Sequence, residues 1–135
     1  MPRVSFAFFT LAALYGLVGM AWGARMGESG DHSALAAHAH LNLLGWVSLS
    51  IMGGFYALAA GRTPALLAWA NLVLSGLSGP LMAVSMVALM LRQDQRFVPM
   101  VIAGDITAVL GMVLFLLSIL IAWRRGPRPA AATAH

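Results

Sequence analysis

The sequence predicts an all-α integral membrane protein, a four-helix up-down bundle. Of 135 residues 61% are hydrophobic and only 9% charged, mean hydropathy is +0.87, and four long apolar segments follow one another. That balance lies outside the range of soluble domains. Continuous apolar runs of this length read as helices, because an open sheet edge cannot be hidden in hydrocarbon.

The first segment spans about 4–23, the second 34–60, the third 64–91 and the fourth 98–123. Each is near or above the roughly 20 residues that cross a hydrocarbon core of about 30 Å. Ser33 is placed to cap the second. Thr63-Pro64 and Val98-Pro99 suit a first helical turn, where a missing N–H costs nothing. Gly79-Pro80 predicts a kink midway through the third. Short joining loops make neighbours antiparallel. Residues 1–125 form one transmembrane domain, and 126–135, "GPRPAAATAH" from Gly126, read as a disordered cytoplasmic tail. Arg3 ahead of an apolar run and the stretch "AWGA" mimic a cleaved signal, but the run of about 18 residues exceeds the usual signal core. The segment is read as a retained helix.

Topology follows from the arginines, which are all of the basic residues. Arg3, Arg62, Arg124, Arg125 and Arg128 fall on one side; Arg25, Arg92 and Arg96 fall on the other with Glu28, Asp31 and Asp94. The positive-inside rule puts both termini in the cytoplasm. Scattered over loops and ends, these cations match membrane topology and not a nucleic-acid surface. Trp22, Trp69 and Trp123 fall near helix ends as interfacial anchors, whereas Trp46 is mid-helix and belongs to a packing surface. The absence of cysteine removes disulfides and thiolate metal sites.

The chemistry concentrates in "AHAHLNLLGW", residues 37–46. His40 lies about 9 Å below the outer boundary at 1.5 Å per residue. His38 shares a helical face with Asn42, Gly45, Leu49, Gly53 and Tyr56, a mostly small or polar row expected to point into the bundle. His40 is turned about 200° away, toward Leu43, Leu44 and Val47. The two imidazoles therefore cannot grip one metal ion from the same side.

His40-Leu41-Asn42-Leu43-Leu44, with Trp46 close behind, resembles the second-helix motif of haem-copper oxidase subunit I, in particular its nitric-oxide-reductase branch. The resemblance covers about ten residues strongly and the second helix loosely, and small four-helix proteins share it. It implies that the motif histidine is an axial ligand of a low-spin haem b. An alternative alignment on Ala37-His38-Ala39, closer to the oxidase version, makes His38 the ligand. Subunit I has many more helices and several further histidines, whereas this chain has only His32, His38, His40 and His135. The oxygen- or nitric-oxide-reducing centre is therefore not expected here.

Haem iron accepts His/His or His/Met pairs. Met86, in a stripe with Met82 and Met90, is a candidate second ligand, as are Met20 and Met100. A two-fold dimer brings two copies' histidines together instead, with Gly19-x-x-x-Gly23 permitting close helix approach. Asp105, about seven residues into the fourth helix, is an intramembrane carboxylate that suggests function. Its expected role is to accept the free N–H of a ligating His38 or His40.

Three functions fit these residues. The first is a b-type haem protein for electron transfer or haem handling, with His40, His38, Asn42, Asp105, Met86 and Trp46 around the cofactor. The second is a copper-binding protein using the same His/Met cluster. The third is a cofactor-free structural or assembly subunit. Expected partners are the lipid bilayer and either a second copy or the other subunits of a respiratory complex, in a bacterial inner membrane.

Overall fold

Four helices carry nearly the whole of the computed structural model, which describes residues 1–126: α1 (Arg3–Ser29), α2 (Leu35–Leu58), α3 (Ala65–Arg92) and α4 (Val98–Arg125). All four are long and apolar enough to cross a membrane, and the chain is an all-α membrane-spanning bundle. The expected disordered tail lies, from residue 127 on, outside the described residues.

Several boundaries differ from expectation for local reasons. α1 runs past Gly23 to Ser29, because no breaker intervenes until Gly30, whose φ of 67° ends the helix in the left-handed region. Ser33 does not cap α2. Its own N–H is taken by Asp31 Oδ1 at 2.9 Å, and the helix starts two residues later. Pro64 stands just outside α3 and not within it, while Pro99 occupies the first turn of α4 as expected. α3 continues without a break through Pro80.

That continuity has a cause. Proline supplies no N–H to the carbonyl four residues earlier, which here is Gly76. The Tyr15 hydroxyl of α1 donates to that oxygen at 2.7 Å. The Tyr15 ring also lies where a side chain on Gly45 would be, 2.7 Å from the position of its Cβ. On the opposite side of Gly45 runs the backbone of Gly79, whose own added Cβ would meet Gly45 N at 3.3 Å. Small residues thus let α1, α2 and α3 converge around one tyrosine.

The end carrying both termini and the α2–α3 turn holds the core. Val4, Phe8 and Ala12 pack against Leu49, Met52, Tyr56, Ala68 and Leu72. Phe8 stacks on Tyr56 at 5.3 Å between ring centroids, and Phe55 meets Phe115 of α4 edge-on at 5.2 Å. A buried polar chain threads this core. Ser75 donates to Asn71 Oδ1 at 2.8 Å, and Asn71 Nδ2 to the Tyr56 hydroxyl at 2.9 Å. Ser118 spends its hydrogen on Leu114 O, so Tyr56 is the donor in their 2.9 Å bond. Each of these four side chains has a partner, as hydrocarbon surroundings demand, whereas the buried Ser5 hydroxyl nearby has none among the described residues. α4 leans on α3 through Gly104 and Gly111, which accept Met82 and Ser75, and exposes most of its remaining surface.

Candidate functional site

At the opposite end, here the histidine end, α2 presents a row of three side chains to three glycines of α1. An added Cβ on Gly23 would lie 3.1 Å from His38 Cε1, and one on Gly16 would lie 3.1 Å from Trp46 Cγ. One on Gly19 would fall onto the Asn42 carboxamide oxygen. Antiparallel packing explains the reversed order. The Gly19-x-x-x-Gly23 pair, expected to serve a dimer, is filled instead by His38 and Asn42 of its own chain.

The row exists because α2 is not a uniform α-helix. Residues eight apart diverge by about 80° in an α-helix. Residues Leu41–Val47, however, form a π-helix, whose turn of about 4.4 residues advances only about 82° per residue. Trp46 is thereby brought back in line with His38 and Asn42. Serines stabilise the widened turns: Ser48 donates both its N–H and its hydroxyl to Leu43 O, and Ser50 donates to Trp46 O. Trp46 is a packing residue on one face only, since it stays 43% exposed.

Asn42 Nδ2 donates to His38 O at 3.0 Å and lies 3.3 Å from a ring nitrogen of His38. The His38 imidazole also meets Trp22 edge-on at 6.0 Å. Lower on the same face, Gly45, Leu49, Gly53 and Tyr56 are all buried, as the periodicity predicts. Tyr56, however, bonds Asn71 and Ser118, so the seam does not link it to Asn42. Alongside the row a groove of about 560 Å³ opens between α1 and α2, bounded by Met20, Ala39, Leu43 and Val47.

His40 does not line that groove. Half-buried, it places Nδ1 2.8 Å from Ala36 O. A carbonyl only accepts, so Nδ1 carries the proton and Nε2 keeps its lone pair. Among the described residues Nε2 has no hydrogen-bond partner.

The other expected residues are not gathered around the imidazoles. Met82 is buried against Gly104 of α4, and Met86, one turn along, is half-buried and lines neither the groove nor its walls. Asp105 is exposed on α4 among Ile102, Ile106 and Val109, and among the described residues it has no hydrogen bond or ion pair. Within one chain it therefore does not accept from His38 or His40: the His40 Nδ1–H goes to Ala36 O, and the His38 ring nitrogen near Asn42 faces the Nδ2 donor of that residue. No three of His, Cys, Asp and Glu come together among the described residues.

Outside the membrane-spanning segments the acidic groups are ordinary loop residues. Arg96 holds the Asp94 carboxyl below the usual carboxylate range, and bonds from Ser33 do the same for Asp31. The residues that sequence reasoning missed are Tyr15, Asn71 and Ser118. Their partners lie on other helices, so no local spacing marks them. The class defined by fold and site is a four-helix membrane protein with two histidines immediately ahead of a π-turn. No protein-family model, characterised protein or solved structure matches the chain.

Proposed function

We propose that this chain is a b-type haem-binding membrane protein, serving electron transfer or haem handling, in which His40 supplies an axial imidazole. One observation carries the reading: the 2.8 Å bond from His40 Nδ1 to Ala36 O. Metal-ligating histidines characteristically donate the second ring N–H to a carbonyl or carboxylate, which fixes the tautomer and raises ligand basicity. That bond orients the His40 ring and leaves Nε2 as the free donor atom. Half-buried Leu44, one turn along on the His40 side, supplies apolar surface there, whereas Leu43 and Val47, expected beside His40, line the groove next to His38 because the π-turn rotates them toward it.

A haem bound there supplies reversible one-electron exchange. The chain's own residues hold the ligand. Ala36 fixes the His40 tautomer, Leu44 covers the His40 side of α2, and the glycine-packed row of His38, Asn42 and Trp46 locks α2 against α1. No described residue beside His40 would serve as a further ligand, so a haem held there would draw it from another polypeptide, either a second copy or a companion subunit of a respiratory complex. Exposed Asp105 supports this, because an intramembrane carboxylate is costly without a partner. The arginine asymmetry supports cytoplasmic termini in a bacterial inner membrane, with the histidine end outward.

The test is the reduced-minus-oxidised visible spectrum of the detergent-purified full chain, expressed with haem available. A reduced α band that His40→Ala abolishes, with helix content and insertion unchanged, supports the reading, and His38→Ala keeps the band. A band lost only with His38→Ala transfers the ligand to His38. A colourless preparation overturns haem binding in favour of a cofactor-free assembly subunit, unless bound copper is found, which points to the metal alternative.

A further inference from the structure

A second groove, of about 440 Å³, lies on the other side of the helix bundle between α1 and α3. Its floor is Leu41, Pro80 and Ala83; its walls are Tyr15, Val18 and Trp22 on one side and Val84 and Val87 on the other. Arg92 and Phe97 stand at its rim at the histidine end. The groove exists because Ala83 and Ala88 leave α3 narrow where the tyrosine-centred junction ends.

We infer that this groove is a binding site for one anionic phospholipid, an acyl chain lying along α3 and the headgroup phosphate on Arg92. Length supports it. From Pro80 to Arg92 the groove follows α3 for about 18 Å at about 1.5 Å per residue, close to the roughly 15 Å of one leaflet's hydrocarbon. Charge supports it as well. Arg96 is committed to Asp94 by two side-chain bonds of 3.0 Å, whereas Arg92 is exposed and, among the described residues, has no ion pair. A guanidinium at the end of an apolar channel matches a phosphate joined to a chain. The half-buried Trp22 indole in the wall is a residue type suited to that interfacial depth.

Trp22 also serves as the reporter. The full-length chain carrying Trp46→Phe, Trp69→Phe and Trp123→Phe is reconstituted in phosphatidylcholine vesicles, and Trp22 fluorescence is quenched with brominated-chain lipids. Brominated phosphatidylglycerol is expected to quench at about 3- to 10-fold lower mole fraction than brominated phosphatidylcholine, with the preference shrinking in high salt. Arg92→Gln, a surface change, is expected to abolish the preference, and Val84→Phe, in the exposed part of the wall, to reduce quenching by both lipids. Equal quenching by the two headgroups overturns the proposal, as does a preference that survives Arg92→Gln. Quenching that ignores headgroup but falls as protein density rises identifies a second copy as the occupant and equally overturns it. The two headgroups are compared at one fixed haem content, so the preference is read whether or not haem binds.

Discussion

The Tyr15 hydroxyl donates at 2.7 Å to the carbonyl of Gly76, the group that Pro80 leaves without an intrahelical donor. A helix-breaking residue inside a membrane span is thus compensated by a side chain from a neighbouring helix. The same tyrosine ring fills the space beside Gly45, so one residue both satisfies α3 and fixes the distance between α1 and α2.

Tyr15→Phe is expected to destabilise the chain by about 1–2 kcal/mol, the cost of an unpaired buried acceptor, in detergent unfolding. Pro80→Ala restores an N–H to Gly76 O. The double variant should therefore lose less from Tyr15→Phe than the wild-type chain does, and strict additivity of the two changes would show that the bond is not the cause.

Gly19→Ala places a methyl group on the Asn42 carboxamide and is expected to cost about 1–3 kcal/mol by overpacking. Adding Asn42→Ala should recover most of that loss. Gly27→Ala, where an added Cβ meets nothing within 4 Å, should be neutral or stabilising by up to about 1 kcal/mol through helix propensity. Equal effects at both glycines would contradict the packing described.

Tyr56→Phe removes the donor to Ser118 and the acceptor for Asn71, leaving Asn71 Nδ2 only a 3.7 Å contact to Met52 Sδ. A loss of about 1 kcal/mol is expected, with Asn71→Ala costing more because it also opens a cavity. A double-mutant cycle between Tyr56 and Ser118 checks the coupling, which should exceed about 0.5 kcal/mol.

Asp105→Asn should change the unfolding of the isolated chain by no more than about 0.5 kcal/mol, since the exposed side chain has no partner in its own bundle. A loss above about 2 kcal/mol would place Asp105 inside the packed chain and remove its support for a partner polypeptide.

Topology is checked by reporters placed at Gly30 and after His135. Antiparallel helices require opposite sides, and the arginine asymmetry assigns the cytoplasm to the second. Activity of both reporters in one compartment would contradict four spans.

Much of the bundle was legible because its signals are local. Apolar runs longer than a bilayer is thick, prolines at helix starts and the face shared by His38, Asn42, Gly45 and Tyr56 depend only on residue spacing along one helix. The site was legible in part. The separation of His38 from His40 follows from about 100° of turn per residue, but a regular helix also puts Trp46 out of line with His38. Asp105 read as an inward group from its chemistry alone, and nothing in one helix's sequence states which face its neighbours cover.

The sequence by itself determined an all-α membrane bundle and the placement of both histidines near one end, since hydropathy and helical period act residue by residue. Only the tertiary structure decided that Gly16, Gly19 and Gly23 receive Trp46, Asn42 and His38. The same holds for Tyr15 answering Pro80 and for Asn71 joining Tyr56. The physical reason is common to all three. Each is a contact between residues that different helices or turns bring together, and in hydrocarbon such contacts form by close packing and by pairing polar groups, conditions that exist only once the faces meet. The π-turn that aligns the row is local to α2, yet hydropathy and a regular helical period carry no sign of it.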